Sequence, residues 1–339
     1  MTYAKSGVDI KKIKQSHKKI ANMLRKTFSY RQGLTGEVSI EIGHYAGLLK
    51  LDKDKMLALH ADGVGTKTLI ATAMKKYDTI GIDCVAMNVN DLICMGAEPI
   101  AMVDYLAINK PEEDVIKDIM KGLAYGAKQA RVSIVGGETA VMPDLINGFD
   151  LAAMSVGILN KDQLITGEKI EAGDKIYGLK SSGIHSNGLT LARKVLLSYH
   201  KLTYKPAGWD RTLGEELLIP TRIYVNIVDA IIRNCEVHGL AHITGGAFTK
   251  LMRLSCNLGF MIDTIPNPPP IFALIQKLGK ISDYEMYRTF NMGIGFCVIA
   301  PRRERDTLMR IAKRYDCGCI EIGEVTEDVG VIVNKIRIA

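Results

Sequence analysis

Apolar runs of strand length alternate with stretches of helical apolar spacing twice along this 339-residue chain. That repeated alternation limits its fold more than any other feature. KMLALHA (55–61), IAMVDYLAI (100–108), VSIVGG (132–137) and LAAMSVGIL (151–159) read as strands. Between them, 67–76, 80–95 and 111–130 read as helices, the last opened by Pro111 and two glutamates. The polar stretch NKDQLITGEKIEAGD (160–174) breaks the pattern, which restarts with KIYGL (175–179). Helices are then expected near 188–200, 220–234, 245–255, 271–279 and 303–315, with strands near 258–263, 293–300, 319–325 and 329–335. Each half is long enough to bury a core. The fold class is therefore α/β (α+β), with two α/β domains, 1–166 and 167–339.

Composition narrows the class. Hydrophobic residues make up 47% of the chain, with 32 glycines and only 10 prolines, which suits a glycine-looped enzyme rather than a disordered chain. No apolar stretch is long enough to span a bilayer, and MTYAKSGVDI has no apolar signal core, so neither a membrane partner nor export is expected. The seven cysteines are scattered. Their closest pair, Cys317 and Cys319, offers too few ligands for zinc, so reduced thiols and a cytoplasmic location are expected. The net charge of +7 is partly local: residues 1–31 carry nine Lys or Arg against Asp9 alone. Nucleic acid is one reading. A solvated helix face with Ile10, Ile13, Ile20, Leu24 and Phe28 as an apolar stripe is the other, and it is favoured because aromatics are only 6% and no stacking motif is present. A positive field would also suit anionic small substrates.

Polar clusters interrupt the apolar elements where chemistry would sit. HADGVGTK (60–67) ends a strand with Asp62, followed by Gly63, Gly65, Thr66 and Lys67. It is not a Walker loop, yet a strand-end carboxylate suits Mg²⁺, the glycines admit a phosphate, and the lysine would neutralise it. NVNDLICMGAEP (88–99) places Asn90 and Asp91 in an otherwise buried helix; a metal, a salt bridge or a solvent-facing position would each explain Asp91. VGGETAVMPD (135–144) sets Gly137 and Glu138 after a strand. Three carboxylates at element ends resemble a hard-metal, nucleotide-phosphate site.

In the second half, GLKSSGIHSNG (178–188) holds Ser182, Gly183, His185, Ser186, Asn187 and Gly188 ahead of a helix N-terminus, where free N–H groups attract anions. HGLAHITGGAF (238–248) is similar in kind, with His242, Thr244, Gly245 and Gly246. In MYRTFNMGIG (286–295), Arg288 is either a surface arginine or a buried anion binder. A serine hydrolase is excluded, because neither Ser182 nor Ser186 sits in GxSxG.

Taken in order, DGVGTK, NDLICMGAEP, GGETA-x-MPD, SSGIHSNG, PTRIY (220–224), HITGG and MYRTFNMGIG resemble the aminoimidazole ribonucleotide synthetase family, from SGVDI (6–10) to about Gly323. The resemblance implies a first domain that dimerises through its sheet into a shared barrel, and a second, mixed-sheet domain. It implies ATP-dependent ring closure of formylglycinamidine ribonucleotide to 5-aminoimidazole ribonucleotide, with ADP and phosphate released through a phosphorylated amide. By resemblance, Asp62, Asp91 and Glu138 hold Mg²⁺; Asp62, Gly63, Gly65, Thr66, Lys67, Asn90, Gly137 and Glu138 form the ATP site; and 182–188 with 244–246 face the ribonucleotide. Lys67, Asp91 and His185 are the catalytic candidates, His185 as general acid or base or as a hydrogen-bond donor to phosphate.

The chain departs from the family pattern in three places. Val141 stands where an acid is usual, Ala247 replaces a third glycine, and a GG-x-GG loop appears only as IGHYAG (42–47). Sister ATP-using enzymes (selenophosphate synthetase, thiamine-monophosphate kinase, the hydrogenase maturation factor, the amidotransferase-linked synthetase) are the runners-up. A non-catalytic nucleotide sensor or RNA-binding module would be expected to lack the acidic trio, which is intact here.

Overall fold

The structure is a computed structural model and describes residues 19–339 together with Gly7 and Ser16. Lys5, Asp9, Ile10, Lys11, Lys12, Ile13, Lys14 and Lys18 lie outside the described residues, as does SGVDI apart from Gly7.

The first half runs β1 (Gly47–Lys50), β2 (Lys55–Gly63), α1 (Lys67–Met74), α2 (Ile80–Ile93), β3 (Glu98–Ile108), α3 (Glu113–Ala130), β4 (Ser133–Val141) and β5 (Phe149–Asn160). Its sheet has the order β1-β2-β5-β3-β4, with only β3 and β4 parallel. Along β5, Leu151, Ala153 and Ser155 point into the core while Met154 on the alternate side is exposed, the period of two that a half-covered sheet imposes. Helices α2 and α3 cover the core side and touch through glycines: a Cβ on Gly81 would lie 2.1 Å from the backbone nitrogen of Leu123. On the other side Ile100, Tyr105, Val135 and Met154 are exposed, an apolar sheet face that no other described residue covers.

The second half runs β6 (Lys175–Lys180), α4 (Leu189–Leu197), α5 (Leu213–Leu217), α6 (Val225–Asn234), β7 (Gly239–His242), a 3₁₀ helix (Ala247–Arg253), β8 (Gly259–Ile262), α7 (Pro270–Gly279), α8 (Asp283–Thr289), β9 (Ile294–Ala300), α9 (Arg305–Arg314), β10 (Cys319–Thr326), β11 (Gly330–Val333) and β12 (Ile336–Arg337). Its seven-stranded sheet has the order β12-β11-β8-β10-β6-β9-β7 and is antiparallel except between β8 and β11. The α/β class and the restart after residue 160 agree with the sequence reading.

Three local expectations differ. Residues 220–224 form no helix, because side chains of α2 take up their backbone groups; α6 starts only at Val225. Residues 283–289 form a helix capped by Ser282, which accepts from the Glu285 N–H, in a stretch where the sequence pattern predicts no element. At the N-terminal end, residues 19–24 are helical, and Ile20 and Leu24 are about half exposed, so this part of the apolar stripe is not buried.

His238, next to β7, ties the start of that strand to the start of β6. Its Nδ1 lies 2.7 Å from Asp174 and its Nε2 3.2 Å from Glu236, which Arg303 also holds. Burial pushes the imidazole pKa down, but the hydrogen bonds and charges of the two carboxylates outweigh it and leave it raised above 6.5. The stabilisation is therefore complete below that value and fades as pH rises through the folded-state pKa. In thermal melts across pH 5–9, the advantage of wild type over His238→Gln should be largest at the acid end and shrink toward the alkaline end.

Candidate active site

Every residue of α2 is buried, including Asp83, Asn88, Asn90 and Asp91, so each polar side chain needs a partner. Asn88 turns back to β2, donating to the Asp62 carbonyl at 3.0 Å and to that of Cys84 at 3.0 Å. The other three reach the second half. Asp83 Oδ1 accepts from the Thr221 N–H at 2.7 Å, the Thr221 hydroxyl at 2.6 Å and the Ser186 hydroxyl at 3.0 Å. Asn90 donates to the Arg222 carbonyl at 2.9 Å and accepts from the Tyr224 N–H at 2.9 Å. Asp91 accepts from His242 Nδ1 at 2.7 Å and lies 3.6 Å from His60 Nε2. Burial alone would raise Asp91, but the His242 hydrogen bond and the Lys250 charge hold its carboxyl well below the usual range. Burial keeps His242 neutral by lowering its pKa, and Asn90 Nδ2 sits 3.4 Å from its other nitrogen, which fits the Nδ1–H tautomer.

Asp62 and Asp91 line a cavity of about 660 Å³ together with Lys250, Arg253, His60 and the 42–47 loop. Apolar walls come from Phe28, Ile40, Ile42 and Leu59. Burial, then the charge of Asp91, raises the pKa of Asp62, so the two carboxylates repel each other across this space. Lys250 and Arg253 extend from the 3₁₀ helix; the Lys250 ammonium is 5.7 Å and the Arg253 guanidinium 5.0 Å from the centre of the buried Tyr45 ring. Tyr45 in turn donates to the Lys250 carbonyl at 3.3 Å, which fixes the IGHYAG loop against the second half. Burial, the largest influence, lowers the Lys250 pKa, and Asp91 opposes it.

The two glycine-rich segments of the second half meet one another. A Cβ on Gly245 would lie 3.1 Å from Asn187 Oδ1. Asn291 grips the 182–188 loop, donating to the carbonyls of Gly183 at 2.9 Å and Ile184 at 3.3 Å. Gly188 caps α4 at φ +73°, where an added Cβ would meet the Phe290 ring at 2.4 Å, and no side chain caps that helix. His185 is buried in the left-handed region at φ +62°. Its Nε2 accepts from the Ser182 N–H at 3.1 Å, and its Nδ1 is buried without a partner. Burial first, then the nearby His242, Lys67 and Arg222, holds this ring neutral, with its pKa well below the ordinary value.

Comparison with known proteins bears on this arrangement of acids, cations and glycine loops. The family described as "AIR synthase related protein, N-terminal domain" matches residues 43–159, and its companion, "AIR synthase related protein, C-terminal domain", matches 171–335. The chain belongs to the AIR synthase-related family. Among curated relatives, the phosphoribosylformylglycinamidine cyclo-ligase of Thermococcus kodakarensis is 50% identical over 338 residues, covering 100% of this chain and 99% of its own. The Pyrococcus horikoshii protein of the same name is 52% identical over 328 residues, covering 97% and 96%. Among solved structures, thiamine-monophosphate kinase of Stenotrophomonas maltophilia superposes with a TM-score of 0.64 at 20% identity, over 93% of this chain and 96% of that one. T. maritima PurL complexed with ADP gives 0.61 at 15%, over 93% and 47%. These two likenesses concern the fold alone.

Within this AIR synthase-related chain, several sequence expectations need correction. Lys67 is fully buried: its ammonium lies 2.9 and 2.8 Å from the two oxygens of Asp83 and donates to the Ile219 carbonyl at 2.7 Å, so it is not turned toward a phosphate. Asn90 spends its amide on the 222–224 backbone rather than on a ligand. Glu138 does not join the other acids. It shares a cross-strand row with Tyr105, Ala152 and Gly63, whereas Asp62 shares the neighbouring row with Ala153, Asp104 and Gly137, on the opposite sheet face. Among the described residues, no three His, Cys, Asp or Glu side chains are gathered to hold a metal. Ser182 and Ser186 use their hydroxyls internally, on the Pro220 carbonyl and on Asp83. Arg288 stacks on Tyr284 of its own helix, the surface alternative.

Gly63, Gly65 and Thr66 do lie on the turn between Asp62 and α1, and the Thr66 hydroxyl is 3.1 Å from that of Thr190 at the start of α4. Thr244 is buried and Gly246 caps the 3₁₀ helix at φ +89°. The sequence reading missed Lys250 and Arg253, whose only signal was a pair of cations three residues apart after TGGAF.

The two lysines should part under substitution. Lys67→Met leaves Asp83 buried without its cation and should cost about 3–5 kcal/mol in urea unfolding. Lys250→Met, on the cavity wall, should leave the melt nearly unchanged and raise the KM for ATP on the order of tenfold, the weight of one charged contact.

Proposed function

We propose that this chain closes the imidazole ring of 5-aminoimidazole ribonucleotide from formylglycinamidine ribonucleotide at the expense of ATP, with release of ADP and phosphate, the fifth step of purine biosynthesis. The observation that carries this reading is the identity of about half the residues with curated cyclo-ligases over the whole length of both chains. An amide oxygen is a poor leaving group. Transfer of a phosphoryl group from ATP to that oxygen turns it into phosphate, which the neighbouring amidine nitrogen displaces as the ring forms. Such an enzyme works mainly by positioning and by neutralising charge.

The residues divide accordingly. Lys250 and Arg253 face the triphosphate from the cavity wall, the 63–66 turn admits its backbone, and the apolar wall receives the base. Asp62 and Asp91 would hold Mg²⁺, which supplies neutralisation of phosphate charge; two carboxylates with phosphate oxygens and water suit that ion, and their mutual repulsion favours a cation between them. His242 orients Asp91 through Nδ1–H. The ribonucleotide lies along the 182–188 loop and the 244–246 turn, with its phosphate at the open N-terminus of α4. His185, neutral and with an unpartnered Nδ1–H, serves as a hydrogen-bond donor to substrate rather than as a proton shuttle. Lys67 acts through Asp83 rather than on ATP.

The same reading places the domain division at residues 1–166 and 167–339. It makes the protein a homodimer: the exposed apolar face around Tyr105 and Met154 packs on a second copy, with Glu138 on the side where the partner approaches. Seven free cysteines suit a cytoplasmic setting.

Incubation with ATP, Mg²⁺ and formylglycinamidine ribonucleotide should release phosphate and aminoimidazole in equal amounts. Phosphate without aminoimidazole would point to a sister activity, and neither product would remove the enzymatic reading. Asp91→Asn should lose activity while keeping the far-UV spectrum of wild type. By sedimentation the protein should run near twice 37.3 kDa. Met154→Glu, which puts a charge on the open sheet face, should shift it toward the monomer.

A further inference from the structure

Asp83 does not line the cavity, yet no carboxylate in the described residues collects more donors. Four groups converge on its Oδ1: Lys67 Nζ at 2.9 Å, the Thr221 N–H at 2.7 Å, the Thr221 hydroxyl at 2.6 Å and the Ser186 hydroxyl at 3.0 Å. Lys67 and Asp83 belong to the first half, Ser186 and Thr221 to the second. Lys67 also holds the Ile219 carbonyl, and Ser182 holds that of Pro220. The 182–188 loop is thus pinned at both of its serines to one short segment, 219–221, and Asp83 with Lys67 grips that segment from beneath.

Between the two pinned serines sits His185. Its left-handed backbone, at φ +62°, is one that a non-glycine residue keeps only where its surroundings over-determine it. Its ring is held from Ser182 through the N–H to Nε2 bond at 3.1 Å, and its chain neighbour Ser186 is held on Asp83. Release of either anchor would let the strained residue relax toward an ordinary conformation and carry Nδ1 away from its present direction.

We propose that Asp83 is a positioning residue for the reaction: by gathering Ser186 and Thr221 on one oxygen, it holds the 182–188 loop and His185 in the conformation that receives the ribonucleotide. The inference rests on the reading of that loop as the ribonucleotide site. It goes beyond that reading by naming a residue in the other half that sets the loop's shape. The ATP cavity, walled by Lys250, Arg253 and the 42–47 loop, does not depend on the latch, so the two substrates should respond differently to its loss.

Asp83→Asn strands Lys67 in the interior and is a poor probe, since it can fail to fold. Thr221→Val and Ser186→Ala leave the Lys67–Asp83 pair in place and remove one donor each. In both, kcat/KM for the ribonucleotide should fall on the order of ten- to a hundredfold, with the KM for ATP within about twofold, the pattern of a misplaced binding group. Thr221→Ser, which restores the hydroxyl, should return close to wild type. Hydrogen exchange of the amides of 183–188 should quicken in the first two variants and not in the third. Equal loss toward both substrates, a lowered melting temperature with unchanged kinetics, or unaltered exchange in 183–188 would each overturn the proposal. Absence of ring closure by the wild type would instead overturn the functional reading, and the exchange measurement would still decide whether the latch exists.

Discussion

Burying Asp83 is the constraint from which the union of the two halves follows. Removal of a carboxylate from water costs several kcal/mol unless a cation and further donors replace the solvent. Here the cation comes from Lys67, sixteen residues earlier, and the donors come from Thr221 and Ser186, more than a hundred residues later. Helix α2 can therefore be enclosed on all sides only when the second half supplies its share. Asn90 and Asp91, two turns further along the same helix, repeat the arrangement with the 222–224 backbone and with His242. The non-helical course of PTRIY follows from this, because its backbone groups are claimed from α2 and are not free for a helix.

The same economy of partners locates the candidate site. Where α2 finds its donors in the second half, the interior is filled and tied. Where it faces Asp62 and the 42–47 loop, carboxylates and cations face one another across open space. Local strain lies at the same seam. His185 and Ala247 both hold left-handed backbone, at φ +62° and +44°, which costs on the order of 1–3 kcal/mol at a non-glycine residue. Ala247 explains the physical sense of a glycine at that position, and its buried methyl shows that the turn closes without one. The altered IGHYAG loop likewise retains an anchor, with Tyr45 replacing backbone flexibility by a buried ring.

Much of the fold was legible because period and length report burial directly. Strands at 55–61, 100–108, 132–137 and 151–159 and the helices between them were read within a few residues of their bounds, since one covered sheet face requires alternation and a covered helix requires apolar recurrence. Short or capped elements escaped: β7 is four residues long, and α8 depends on a single Ser282 cap. The candidate site was legible as a set of segments and far less so as roles. DGVGTK announces a lysine beside glycines, but nothing in the string says whether Lys67 turns to a ligand or to Asp83. NVND announces buried polar groups without naming His242 or Tyr224 as their partners.

By itself, then, the sequence determined the alternation of elements, the restart between the halves, the family, and which loops carry unusual polar and glycine content. Those properties are local, and each is written in residues within a turn or a strand of one another. The tertiary structure decided which polar side chains face the cavity and which face each other. It turned Lys67 inward and brought Lys250 to the wall, parted Glu138 from Asp62 by one row and one face of the sheet, and closed Ser186 and Thr221 onto Asp83. The reason is electrostatic: a buried charge takes whichever partner the packing delivers, and that partner lies far off in the chain.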